Sequence, residues 1–301
     1  MSASATSVPQ VGSGKAPKGK VGAKASQASW IVKTVVWVIV FLWTLPTIGL
    51  LVTSFRPTTA QFNGWWNVIT NPTQLTIQNY QDALTTGSNP MGGAFLNSLA
   101  VAIPATIIPI LIAAFAAYAF TFMDFPGKNV LFIVIVGLLV IPNQAAFVPL
   151  FRLFNVFHLN GTFLAVWLVH IGFGMPLAVY ILRNYMGTLP KAVIESAKID
   201  GASHFTTFWR LIIPMSTPAL ASFAIFQFLW VWNDLLIALL FLGRGENTIA
   251  TVALQGLQGQ TGQGRELIPS AGFITIIVPL MVFLSLQRYF IRGMTSGAVK
   301  G

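Results

Sequence analysis

Chemistry-bearing side chains are sparse in this sequence, and they gather in two places. Glu195, Lys198 and Asp200 stand in the stretch RNYMGTLPKAVIESAKIDGASHFTTFWRLIIP, residues 183–214, of a chain that holds only 7 acidic residues. Asp234 stands in a strongly apolar run with Gln227, Trp230, Trp232 and Asn233 beside it. Inside a membrane span a carboxylate costs roughly 2.5–3.5 kcal/mol on insertion scales, so its presence there calls for a reason. Sugars bind where aromatic faces meet C–H surfaces and where amides and carboxylates accept hydroxyls. Gln227, Trp230, Asn233 and Asp234 are therefore candidates for a carbohydrate path. The competing reading is a polar pair that locks helices together, with the tryptophans as an interfacial belt. Asn143 and Gln144, after Pro142, form a second candidate pair. His170, among apolar neighbours, reads as a packing residue, and Asn97-Ser98 reads as a helix cap.

Covalent chemistry is not expected of this chain. It has 3 histidines, no cysteine, no HExxH pair and no GxSxG, so every hydrolytic arrangement lacks a partner. No metal site and no directly bound cofactor follow from it. The sequence GSGKA at 12–16 has the look of a phosphate loop, but Pro9 stands where the first glycine belongs and Ala16 replaces the final hydroxyl residue.

The elements that must position these side chains are apolar. The chain is 55% hydrophobic and 8% charged, whereas soluble domains average about 25% charged. Several runs reach the roughly 20 residues needed to cross a bilayer. The runs are continuous rather than alternating, which excludes a transmembrane β-barrel. The spacing predicts an all-α polytopic membrane protein with six spans near 32–55, 95–123, 130–150, 162–182, 211–242 and 268–290. Pro214 and Pro218 mark the start of the fifth span rather than its middle. The first and fifth runs are longer than one membrane thickness, so part of each extends out of the bilayer or tilts.

Residues 1–28 are rich in Ser, Ala, Gly, Lys and Pro and read as a disordered basic tail. The six-span domain occupies 29–293, and 294–301 is a small-residue tail. With both ends inside, Lys15, Lys18, Lys20, Lys24, Lys33, Lys128, Arg183, Lys191, Lys198, Arg210, Arg288, Arg292 and Lys300 face the cytoplasm. Arg56, Arg152, Arg244 and Arg265 remain outside. This positive-inside bias accounts for the net charge of +10 as topology, with no call for nucleic acid. It places residues 183–214 in the cytoplasm. There Pro190 reads as the first residue of a short helix over 191–199, broken by Asp200-Gly201, with Ser203 capping a second helix through Phe208.

The run ESAKIDGA (195–202), followed by Phe208 and by LIIP at 211–214, resembles the EAA loop of ABC-importer permeases. Ser196 replaces the family's first alanine, and Ile213 stands before Pro214 where leucine is usual. SFRP at 54, FLNSLAVA at 95, AAYAFTFMDFPGK at 116, IPNQAAFVPLF at 141, WNDLLIALLF at 232 and QRYFIRGMTSGAVKG at 287 are similar to the sugar-importer branch, with its maltose-type G subunits. The resemblance implies a type I permease fold in the prokaryotic inner membrane. It also implies docking of a cytoplasmic ATPase dimer, which binds the ATP and Mg, through Glu195, Ser196, Ala197, Asp200, Gly201 and Ala202. A second permease subunit, membrane lipid and an extracytoplasmic sugar-binding protein are the other implied partners. The sugar-binding protein would meet the Gly/Gln-rich loop at 255–266 and the long loop at 56–93 with its NYQDAL helix signal. A di- or oligosaccharide, such as an α-glucoside, is the implied cargo. The readings that compete are an ion-coupled secondary transporter, against which the scarcity of intramembrane charge stands, and a non-transporting membrane scaffold.

Overall fold

In a computed structural model of the chain, the described residues are 30–61, 64–72, 75–87, 89–257 and 264–298. The expectations for the tail at 1–28 and for the centre of the Gly/Gln-rich loop at 258–263 lie outside them. Among the described residues every regular element is helical. The chain falls into two units, Met1–Thr47 and Ile48–Gly301. The described part of the first is the opening of α1 (Trp30–Ser54), whose apolar side chains from Trp30 to Trp43 are largely exposed.

The second unit takes the rest. Its elements are α2 (Gln78–Thr85), α3 (Met91–Phe122), α4 (Lys128–Gly137), α5 (Asn143–Val156), α6 (Phe163–Met186), α7 (Lys191–Ile199), α8 (His204–Thr207), α9 (Thr217–Trp232), α10 (Ala250–Gly256) and α11 (Ile268–Ala298). The NYQDAL signal is α2, as the sequence predicts. Among the described residues four helices are long and apolar enough to cross a membrane: Trp30–Ser54, Met91–Phe122, Phe163–Met186 and Arg265–Arg288. Two further spans exist if each bent pair counts as one, which gives the six that the sequence predicts.

The bends correct the predicted runs. The third run is two pieces, Lys128–Val140 and Asn143–Val156, at 98° to one another. Pro142 drives Ile141 into extended backbone, with ψ 122, and the helix cannot continue through it. The fifth run stops at Trp232. Asn233 and Asp234 leave the helix, and a separate π turn follows at Ala238–Leu242. Its start behaves as expected: His204–Met215 meets Thr217–Trp232 at 73°, between Pro214 and Pro218. The second span begins at Met91, not at Asn97-Ser98. Those two side chains serve a different segment. Asn97 Nδ2 donates to the carbonyls of Glu246 and Thr248, and Ser98 Oγ accepts the N–H of Ala250, the first residue of α10. The last helix runs on through Ala298, past the predicted boundary at 293.

Prolines within the spans set the packing. A proline has no N–H to give the carbonyl four residues earlier, and in an apolar medium that carbonyl needs another donor. Pro104 frees the Ala100 carbonyl, which accepts from Trp167 Nε1 of α6 at 3.1 Å. Pro109 frees that of Ala105, which accepts from Gln227 Nε2 of α9 at 3.1 Å. Pro279 frees that of Thr275, which accepts from Trp232 Nε1 of α9 at 3.0 Å. Three prolines in two spans are thus answered by side chains from neighbouring helices. Around these contacts lies the main apolar core, with Val101, Ala105, Val166, Val231 and Trp232 almost fully buried. A second core of alanines and aromatics fills the ends of α3 and α6 and receives Ile194 of α7 and Phe208.

This arrangement makes an additivity test. Trp167→Phe keeps an aromatic ring, though a smaller one, and removes the donor to Ala100, which should cost about 1–3 kcal/mol of unfolding free energy in detergent. Pro104→Ala supplies an in-helix donor to that carbonyl. In the double variant the penalty of Trp167→Phe should fall by half or more, as read by a double-mutant cycle on thermal unfolding. Full additivity would show that the two residues are not coupled.

Candidate functional site

Two sites take shape. The first is a cavity of about 640 Å³ walled by the kinked α4–α5 pair, α6 and α9. Asn143 of the third run and Gln227 and Trp230 of the fifth, all nominated by the sequence, line it. Pro142 accounts for the first, because the bend there points the start of α5 at the cavity. Phe173, Phe223 and Phe226 add aromatic surface, and among the described residues its wall holds no ionisable side chain. Gln144, Asn233 and Asp234 are not in that wall.

Gln227 is 3% exposed and bridges three spans, donating through Nε2 to Ala105 and, at 3.4 Å, to the His170 carbonyl. Gly174 makes this possible. A Cβ there would meet the Gln227 amide at 2.7 Å, so only glycine lets the amide lie on α6. Sequence reasoning missed Gly174; its signal is a small residue within an apolar helix, the usual mark of close helix approach.

Asp234 and Trp232 make contacts outside that wall. Asp234 Oδ2 accepts the N–H of Ala238, and its carbonyl accepts from Thr251 Oγ1, so the residue ties the turn after α9 to α10. Asn233 Nδ2 folds back onto the Leu229 carbonyl. Trp232 is buried against Phe95 and Phe228. His170 is more than packing. Its Nδ1 bonds to the Val166 carbonyl at 2.9 Å, while buried Nε2 has no hydrogen-bond partner and faces Asp234 Oδ2 at 4.0 Å. The ring stands edge-on to Trp230 at 5.0 Å, which fixes the indole in the cavity wall.

The second site is the helix–turn–helix of α7 and α8. Pro190 occupies the position before the first helical residue, one place earlier than predicted, with extended ψ 115. At the other end the chain makes a complete Schellman cap. Ala202 N–H bonds to the Ala197 carbonyl and Gly201 N–H to that of Lys198, with Gly201 at φ +78. Asp200 is the C-cap residue, and small, half-buried Ala197 and Ala202 sit at the two positions that touch in this motif. Ser203 Oγ then accepts the N–H of Thr206, starting α8 as predicted. The unit is anchored at buried Ile194, at Phe208 stacked 4.4 Å from Phe115, and at His204, whose Nδ1 meets the Tyr118 hydroxyl at 2.9 Å. Glu195, Ser196, Asp200 and Gly201 are exposed, and among the described residues neither Glu195 nor Asp200 has an ion-pair partner. Ile199 is 87% exposed and Phe205 68%, an uncovered apolar pair beside the turn.

Gly174→Val should destabilise the protein by about 1–3 kcal/mol through overpacking against Gln227. Pairing it with Gln227→Ala should return part of that loss, because the colliding group is gone. Calorimetry of the two single variants and the double variant in detergent tests this; equal losses with and without Gln227 would refute the close approach.

Comparison with known proteins gives these sites a context. The chain is 53% identical over 268 residues to an osmoprotective compounds uptake permease protein, GgtD, of Synechocystis sp., covering 87% of this chain and 89% of that one. It is 52% identical over 238 residues to the alpha-glucoside transport system permease protein AglG of Rhizobium meliloti, covering 77% of this chain and 62% of that one. Its fold is similar to that of a chain in the crystal structure of a bacterial ABC transporter involved in the import of the acidic polysaccharide alginate. That match has a TM-score of 0.70 at 18% identity and covers 87% of this chain and 95% of that one. Residues 109–296, from Pro109 of α3 into the last turn of α11 and so including both sites, match the family described as binding-protein-dependent transport system inner membrane component, and the chain belongs to it.

Proposed function

We propose that this permease carries a neutral di- or oligosaccharide, of the α-glucoside class, across the inner membrane, as one of two permease subunits powered by a separate ATPase dimer. ATP and Mg bind to that ATPase, and an extracytoplasmic sugar-binding protein delivers the cargo to the loops at 56–93 and 255–266. Both termini face the cytoplasm, in keeping with the distribution of basic residues. The relative named for alpha-glucoside transport supports the cargo class. So does the cavity, whose Trp230 and Phe226 offer ring faces and whose Asn143 and Gln227 offer amides without any charge. Pro176 adds an acceptor: it has no N–H for the carbonyl of Gly172, and Gly172 is in the cavity wall.

The observation that carries the reading is the α7–α8 unit. Its internal caps make it rigid, Ile194 and Phe208 root it in the ends of the spans, and Ile199 and Phe205 stand uncovered. A rigid lever with an apolar tip is what transmits closure of a partner into rigid-body motion of helices. Glu195, Ser196, Ala197, Asp200, Gly201 and Ala202 are the coupling positions, Glu195 pairing with a cation of the ATPase and the other five shaping the turn that presents Ile199.

The test is ATP-driven uptake of a labelled α-glucoside into proteoliposomes that hold the whole importer. Ile199→Glu and Glu195→Ala should cut uptake by about tenfold or more while leaving insertion intact, as expected of anchors at an interface. Trp230→Ala should weaken transport with coupling preserved, so that the ATPase still responds to loaded binding protein. Unchanged uptake in both loop variants would overturn the coupling role.

A further inference from the structure

A cleft of about 650 Å³ opens beside α7, at the place where α3 ends, α4 begins and α6 ends. Lys128, Arg183, Lys191 and Lys198 line it against Asp124 and Glu195, four cations to two carboxylates. Lys128 is engaged, its Nζ donating to the Met123 carbonyl at 2.7 Å and pairing with exposed Asp124 at 3.4 Å. Arg183 stacks over Phe132 at 4.6 Å, and its Nη1 reaches the Asn184 side chain at 3.4 Å. Lys191 and Lys198 have no carboxylate within ion-pair distance among the described residues. Two helices start at this cleft, α4 with Lys128 and Asn129 and α7 with Lys191, and neither has an acidic residue in its first turn or a side-chain cap. Their first-turn amides add to a field that favours an anion.

What distinguishes the anion is the surface next to it. Immediately after Lys128 and Asn129, α4 turns outward Val130, Leu131, Ile133 and Val134, exposed by 67, 49, 68 and 55%. A free phosphate or an acidic peptide would make no use of that apolar strip. A molecule with a phosphate head and acyl chains would fill both. The cleft also lies at the ends of the spans, which is the depth of lipid headgroups.

We propose that this cleft is a binding site for an anionic phospholipid, its phosphate held by Arg183, Lys191 and Lys198 and its acyl chains running along the outer face of α4. On α7 the residues lining the cleft, 191, 194, 195 and 198, fall on one side. Ala192, Val193, Ser196 and Ile199 fall on the other and stay free for a protein partner. The headgroup therefore ties the cleft side of α7 to the span ends and leaves the outer face uncovered, and Glu195, on the cleft side, is the one position that lipid and protein partner would share.

The test uses the full chain, delipidated in mild detergent. Phosphatidylglycerol should raise the unfolding midpoint by about 2–4 °C. Phosphatidylcholine and inorganic phosphate, at equal phosphate, should not. The double variant Lys191→Gln, Lys198→Gln should lose most of that shift, while Arg152→Gln, a cation elsewhere, should keep it. An equal shift with inorganic phosphate would make this a free-anion site and overturn the lipid. An equal shift in the double variant would overturn the cleft. A measurement on the unaltered chain stands apart from variant folding: phosphatidylglycerol with a photoreactive acyl chain should label the peptide holding residues 130–134. Labelling confined to other helices would refute the placement.

Discussion

A carbonyl freed by proline has nowhere to turn inside hydrocarbon, and this fold depends on how such carbonyls are met. An unsatisfied backbone group there costs several kcal/mol, and at Pro104, Pro109 and Pro279 a neighbouring helix supplies the missing donor. Trp167 meets Ala100, Gln227 meets Ala105 and Trp232 meets Thr275. Each bond joins two spans at a fixed height, so α3, α6, α9 and α11 cannot slide past one another. Apolar packing alone would not do this, because lipid tails are as apolar as leucine and reward many registers about equally. The prolines that weaken individual helices thereby specify the assembly. Gly174 belongs to the same device, since the Gln227 amide reaches Ala105 only by lying against a helix without a side chain at that point.

The same logic extends to the segments that flank the spans. Ser98, inside α3, takes up the first amide of α10, and Asn97 takes two carbonyls of the loop before it. Asn79 of α2 donates to the carbonyls of Ser54 and Arg56 at the end of α1, while its own carbonyl accepts from Ser270 of α11. Short helices between spans are thus stitched to the spans by buried amides and hydroxyls. Asp234 is one of these stitches. Its cost as a carboxylate near the membrane is offset by the Ala238 amide it accepts, and the turn it holds is where the fifth apolar run leaves its helix.

Much of this was legible in the sequence, and the reasons for the rest are physical. Long apolar runs announce spans, and the Gly201 and Ser203 signals announce the turn and the second helix, because their causes are local. The break at Pro142 was written in the sequence too, yet a run of hydrophobic residues reads as continuous when only its length is weighed. Asn97-Ser98 looked like a cap because a cap is the common local use of such residues; their real partners are about 150 positions away. Of the six path candidates, Asn143, Gln227 and Trp230 converge on one cavity. The other three differ by helical phase and by local hydrogen bonds. Gln144 is one residue round the helix from Asn143, and Asn233 and Asp234 lie beyond the end of α9, where folding back on the chain satisfies them. Composition grouped these residues, and tertiary contacts decided which of them face the cavity.

The α7–α8 unit shows how a family-like motif can be resolved into separate physical roles. The spacing of Ala197, Asp200, Gly201 and Ala202 is that of a Schellman cap, in which the last carbonyls are satisfied and two small apolar residues close over the end. Those positions hold shape whether or not a partner is present. Glu195 and Ile199 take no part in that cap, and they are exposed. The turn is held on both sides, by buried Ile194 before it and by Phe208 after it. The Gly201 conformation, which costs other residues about 1–2 kcal/mol, fixes the direction in which α8 departs toward Phe208 and Phe115. From Phe208 the chain passes through a π turn and the bend at Ser216 into α9, the helix that carries Gln227 and Trp230. The exposed turn and the cavity wall are therefore consecutive parts of one chain segment, joined through the 73° bend at the start of α9.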